Sequence, residues 1–394
     1  MLPMPSAQPE LSSGAPLVID RLDDVHDFAA LGAQWNDLLR ASRADSIFLT
    51  WEWLHAWWTH LRGDLTLHLI VVRAGGELIA VAPLARTRAG LPWLSRLQFL
   101  GTGYAGSDYL DVIVRRDRER EGLHAIAGAI AASNLALHLD HLPPGSIASK
   151  LVDPARAEGW TSIETTAGTC PFIPLAGHTW DSYLARVGPA HRANFRRRLR
   201  SLDRQFEVRF AAVSSEEERK TVLDTLVQLH NQRWASRGGS TAFPTPACRA
   251  FHDDVTRRAL ACGRLRLFAL RLDGAIVAAT YCFAHNGRFY FYQGAFDERY
   301  RQQSIGMVAM GLTIRAAIEE GAIEFDMLYG IEPYKWLWAR DARSLYRVEL
   351  FPSDISGRLH RGTVTAERGV RKLARRMFQR RACNTNVPPA GAVC

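Results

Sequence analysis

Several polar residues stand at positions where their chemistry can be read directly. Asp326 lies in Ile323-Glu-Phe-Asp-Met-Leu328, an apolar strand-like run. A carboxylate there is costly unless paired, and Lys335 or Arg233 is its expected partner. A functional carboxylate and a structural ion pair are equal readings. Lys335 follows Tyr334 just past Gly330; this pair can bind a phosphate or stabilise an oxyanion. His230 has Arg233 and Trp234 one helical turn on. A packed core histidine and a substrate-binding set are both open there. Asp108 and Asp111 lie three apart in a strand-like run, so they face opposite ways and cannot act as a close pair. One of them is expected to cap a turn.

A second group surrounds a polar loop. Tyr292, Gln293 and Gly294 end a strand that faces the loop; a core position is the other reading of Tyr292. Arg301, Gln303, Ser304, Ile305 and Gly306 lead into a helix. Unpaired backbone N–H groups at a helix start can cradle a pyrophosphate, and Arg301 adds charge. An ordinary helix cap is the alternative.

The elements that must position these residues run from Arg264 to Phe351. Asp273-Gly274 and Asn286-Gly287 are hairpin signals joining three strands, 264–272, 275–283 and 288–296. The polar loop follows, then a helix over 307–320 ending at Gly321, then the strand 323–328. Residues 65–142 repeat the order: strand, glycine turn, strand, strand, helix, strand. Their strand over 108–114 carries Asp108 and Asp111. A short edge strand is expected at 161–165, and Thr165-Thr-Ala-Gly-Thr169 has linker composition. Four tryptophans between Trp51 and Trp58 read as an aromatic core anchor.

At 394 residues and 47% apolar composition, the chain is globular with room for two domains. No run approaches the ~20 apolar residues of a membrane span. Residues 1–15 read as a disordered tail and not a signal peptide. The six cysteines have no metal-ligand spacing, so no metal is expected and thiols of a reducing cytosol are the default. Net charge is +9, concentrated at Arg192–Arg204 and Arg358–Arg381. Such runs attract nucleic acid, anionic lipid or phosphorylated ligands, or are solvated helix faces.

The strand–loop–helix–strand order resembles the GCN5-related N-acetyltransferase (GNAT) fold. That family's loop reads Gln/Arg-x-x-Gly-x-Gly/Ala, and Gln303-Ser-Ile-Gly306 keeps one glycine of it. Leu229-His-x-x-Arg-Trp234, Tyr292-Gln-Gly-Ala-Phe-Asp297, Phe325-Asp-Met-Leu-Tyr-Gly330, Tyr334-Lys335 and Asp108-Tyr-Leu-Asp111 together resemble the CelD-like acetyltransferases found beside cellulose and exopolysaccharide genes. These are similar to the tandem-GNAT Fem transferases.

The resemblance implies an α/β (α+β) chain of two tandem GNAT-like domains, each a mixed, mostly antiparallel sheet flanked by helices. The expected bounds are 16–167 and 168–353, with a basic helix and tail over 354–394. It implies acyl transfer from acetyl-CoA or another acyl-CoA to an amine or saccharide acceptor. Asp326 would accept the proton with Lys335 and Tyr334 beside it. Tyr292–Gly294 and Arg301–Gly306 would hold the donor, and His230, Arg233, Trp234 and Asp108 the acceptor. The setting would be cytoplasmic, peripheral at the inner membrane if the basic helix contacts anionic lipid. The alternatives are a Fem-like transferase using aminoacyl-tRNA and a non-catalytic protein of polysaccharide assembly.

Overall fold

A computed structural model of the protein describes residues 16–88, 90–235 and 242–384, with side chains to residue 370 except Pro92. The expected N-terminal tail at 1–15 and the last ten residues of the expected C-terminal helix and tail, 385–394, lie outside the described residues. Among the described residues the strands are β1 (Leu17–Leu22), β2 (Thr66–Ala74), β3 (Glu77–Arg86), β4 (Arg96–Phe99), β5 (Ile113–Val114), β6 (Ala136–Leu142), β7 (Thr161–Pro174), β8 (Val208–Ala212), β9 (Leu265–Leu272), β10 (Ala275–His285), β11 (Arg288–Phe296), β12 (Glu324–Asp326) and β13 (Asp341–Phe351).

They form one sheet in the order β1-β2-β3-β4-β6-β13-β7-β12-β11-β10-β9-β8, with β5 on β3. Two pairs are parallel, β4 with β6 and β11 with β12. Each encloses a helix in sequence, Glu119–Ser133 in the first half and Ile305–Glu319 in the second. The architecture is thus a mixed, mostly antiparallel sheet flanked by helices, with the expected repeat in it.

The junction departs from expectation. Residues 165–169 are no linker but the middle of β7, which pairs with β13 from Thr161 to Phe172. β7 is a central strand, not an edge. Its Thr and Ile residues suit a pleated surface, and its partner lies some 180 residues on, in the second half. β13 also pairs with β6, so the last strand of the second half is built into the sheet of the first. The expected strand over 108–114 shrinks to β5; residues 108–112 are irregular loop.

One core cluster crosses both halves. The helix Trp51–Leu61 starts at Thr50, whose side chain caps Trp53 N–H. Trp53 meets Phe48, Phe251, Phe283 and Tyr292 edge-on, with centroids 4.9–5.7 Å apart. At about 25 cal/mol per Å² and roughly 200 Å² buried, one such tryptophan supplies roughly 5 kcal/mol of apolar transfer.

The basic C-terminal helix runs Ile355–Asn384. Its start packs on the first half through buried His360, beside Phe351 and His138, and Arg368 pairs with Glu349. Val370 on this helix is exposed. Among the described residues no helix is long and apolar enough to cross a membrane.

Candidate active site

β12 bonds to β11 over three residues only, Glu324–Asp326 beside Arg288–Tyr290. Beyond that the strands part: β11 continues to Phe296, while 327–334 turn away. The first half reaches into the wedge. Tyr292 Oη donates to the Ala105 carbonyl at 2.6 Å, and Tyr109 Oη donates to Asp326 Oδ2 at 2.6 Å.

Asp326 is fully buried. Its Oδ1 accepts the Leu328 N–H at 2.8 Å, and Arg343 Nη1 stands 3.7 Å from Oδ2. Burial pushes this carboxyl up to about 6, against the pull of Arg343, Tyr109 and the Leu328 amide. The expected partners are therefore wrong. The chain reverses at Leu328, φ +57°. Lys335 consequently reaches the turn carbonyls of Leu328 and Tyr329, at 3.2 and 2.7 Å, and pairs with Glu332 at 3.1 Å. Arg233 lies 3.3 Å from Glu298 and 4.5 Å over the Phe296 ring, at the far end of β11.

Next to this cluster sits a pair that the sequence did not single out. Asp108 is buried, and its Oδ1 lies 2.8 Å from His141 Nδ1. Its Oδ2 accepts the Tyr329 N–H at 2.8 Å and a long Cys170 S–H contact at 3.9 Å. Burial pushes the Cys170 thiol far up, so it stays neutral. The Tyr329 ring stacks on His141 at 5.4 Å and fills the space over Gly168, where a Cβ would come within 2.0 Å of it. Asp111 instead accepts the amides of Val112, Ile147 and Ala148, which makes it the turn-capping carboxylate expected of one of the two.

The backbone marks the same place. Seven described non-glycine residues have positive φ. Asn134, Asp273, Asn286 and Ser304 serve turns or helix ends. The other three, Tyr109, His141 and Leu328, meet here at φ +56°, +58° and +57°. Such conformations cost on the order of 1–3 kcal/mol for bulky residues and cluster at functional sites.

The expected donor loop lies at the other end of β11. Asp297 caps a short turn, and Ser304 at φ +58° opens the Ile305–Glu319 helix without a side-chain cap. Met307 and Val308 donate to the Ser304 carbonyl, whereas Ile305 and Gly306 N–H take no acceptor among the described residues. Gly306 lies against Phe296; a Cβ would stand 2.7 Å from the ring. A cavity of about 190 Å³ opens beside it, lined by Arg198, Ser201, Gln205, Gln302 and Gln303. Gln303 Oε1 and Arg198 Nε are buried there without a partner. Exposed Arg196, Arg197, Arg200 and Arg204 lie on the same Pro189–Gln205 helix.

The remaining expected residues are dispersed. The Gly294 N–H bonds the Gln293 side chain. His230 is buried on Phe243, and burial with Arg233 lowers it to about 4, the packed-histidine reading. Arg233 sits on its helix near the donor loop, Trp234 lies on the same helix with its ring 6.1 Å from that of His230, and Tyr334 is partly exposed beside Lys335. Asp108 and Asp326 are thus brought to one cluster with Lys335, while His230 and Arg233 are kept from it. Among the described residues no cluster of three metal-ligating side chains occurs.

The family described as acetyltransferase (GNAT) domain matches residues 189–336. That span takes in the arginine helix, the wedge and the donor loop. Residues 189–336 are similar to a GNAT domain.

No curated protein matches the sequence. Among solved structures, FemX is 11% identical with a TM-score of 0.61, over 84% of this chain and 97% of its own. The C-terminal domain of a putative lysylphosphatidylglycerol synthetase from Agrobacterium fabrum is 13% identical with a TM-score of 0.51, over 86% and 96%. L-PGS from Bacillus licheniformis is 12% identical with a TM-score of 0.50, over 86% and 96%. At these identities the likeness is one of fold, and it extends beyond residues 189–336 into the first half.

Proposed function

We propose that the chain is an acyl-CoA-dependent N-acyltransferase, acting on a small amine or an amino-sugar type of acceptor. The observation that carries this is the wedge between β11 and β12, with a helix start offering uncapped N–H groups at its outer end. A pyrophosphate would take the amides of Ile305 and Gly306, with Arg301 and Arg198 adding charge. From Phe296 back to Tyr290 is six residues of strand, about 20 Å. An extended pantetheine arm covers that kind of span and would bring the thioester to the Asp108–Asp326 cluster. The acceptor would enter where the two halves meet, beside Tyr329 and Tyr334. Asp326, closed off by Tyr109, Leu328 and Arg343, holds the wedge in shape rather than touching substrate.

An exopolysaccharide or cell-envelope setting, as in the CelD-like proteins, belongs to the same proposal. Calorimetric titration with acetyl-CoA and longer acyl-CoAs tests it. Saturable binding weakened by Gly306→Ala is expected, and no binding of any acyl-CoA would overturn it.

One observation keeps a second reading, aminoacyl-tRNA as donor. Exposed Arg196, Arg197, Arg200 and Arg204 lie on the same helix as Arg198, Ser201 and Gln205, which line the donor cavity. Affinity for tRNA falling steeply with salt would favour it, and a flat response would remove it.

A further inference from the structure

The Asp108–His141 pair is built like the orienting half of a proton relay. His141 Nδ1 faces a buried carboxylate at 2.8 Å, which fixes the ring and leaves Nε2 as the basic nitrogen. Nε2 makes no hydrogen bond among the described residues, yet it is not one of the buried unpartnered atoms, so solvent reaches it. The ring's other fixed neighbour is Tyr329, stacked on its face and itself half exposed. The histidine holds a positive φ to take this position, and its own carbonyl accepts the Leu110 N–H, tying it to the loop that carries Asp108 and Tyr109. A histidine kept only for packing needs neither a buried carboxylate nor a strained backbone.

We propose that His141, oriented by Asp108, is the proton acceptor of acyl transfer. This rests on the acyltransferase reading and deepens it. The acceptor nitrogen bonds the thioester acyl carbon as its N–H proton passes to His141 Nε2. The C–S bond then breaks, and the leaving thiolate takes a proton back from His141. Asp108 is the positioning residue; its buried carboxylate beside Nδ1 offsets the imidazolium charge.

The charges facing the ring are Asp108 from the loop, Asp140 from its own strand and Arg347 from β13, with the Tyr329 phenol on its face. Burial opposes protonation, but the bond to Asp108 and the charges of Asp108 and Asp140 outweigh burial and Arg347, so His141 titrates above its ordinary value. Its activity as a base should therefore appear on the neutral-to-alkaline side.

The test uses the full chain with acetyl-CoA as donor and hydroxylamine as nucleophile, reading CoA release over the uncatalysed background from pH 5.5 to 9. His141→Gln is expected to lower turnover about 10²–10⁴-fold with acetyl-CoA affinity unchanged, and to abolish the rise of rate with pH. Asp108→Asn should shift or flatten the same limb while His141 remains. Wild-type binding of acetyl-CoA with equal CoA release by His141→Gln, or an unchanged pH limb, overturns the proposal alone. No acetyl-CoA binding by the wild type overturns the donor reading and this one with it.

Discussion

Tyr109 Oη donates to Asp326 Oδ2 at 2.6 Å, joining a loop of the first half to a strand end of the second across 217 residues. This bond closes the wedge at its inner end. Tyr109→Phe leaves a fully buried carboxylate without one of its donors. A bond to a charged group is worth about 1.5–3 kcal/mol, and urea unfolding at pH 8 should show a loss of that order. The loss should shrink at pH 5, where Asp326 is largely protonated. An equal loss at both pH values would mean that the bond does not serve the charge.

The same carboxyl predicts a pH slope of stability. It titrates near 6 in the fold, above the ordinary carboxylate value, because burial disfavours its charge. The folded state therefore binds the extra proton, so its stabilising effect is present at pH 4 and is lost as pH rises through 6. Wild-type stability should fall relative to Asp326→Asn between pH 4 and 6, by on the order of 3 kcal/mol at most. Asp111, pushed up to about 7 by burial, adds a similar slope to both proteins and cancels in the comparison. Parallel curves would contradict the burial account.

Gly168→Ala sets a Cβ against the Tyr329 ring. The ring must leave its stack on His141. A cost of about 1–3 kcal/mol is expected from overpacking. Acyl transfer should fall further than stability explains, because Tyr329 and its amide hold the Asp108–His141 pair. Turnover per folded molecule, measured below the melting range, distinguishes the two effects.

Gly306→Ala forces Phe296 off the helix start. Helix propensity favours alanine by roughly 1 kcal/mol, so the melting temperature should change little. Donor affinity should fall about tenfold or more by calorimetry, while the Asp108–His141 region is undisturbed.

What local chemistry specifies was legible. β11 has the bounds expected of it, because Asn286-Gly287 sets its start without distant help. β7 was not legible. Its Thr165–Thr169 segment has the small polar residues of a linker, and only β13 makes it a strand. Partners of Asp326 were misassigned for the same reason: Tyr109 lies in another half, and the reversal at Leu328 sends Lys335 elsewhere. His141 left one trace, the polar Asp140-His141 pair ending an apolar strand before Pro143-Pro144. Its meaning depends on Asp108, 33 residues away.

Hydrogen exchange with and without acetyl-CoA, read by mass spectrometry on the full chain, shows whether the outer end of β11 and the helix start hold the donor. Peptides covering 291–309, where β11 ends and the helix begins, are expected to be protected, with a smaller effect at 326–330. Protection confined to the first half, or none anywhere under saturating acetyl-CoA, would contradict that placement of the donor.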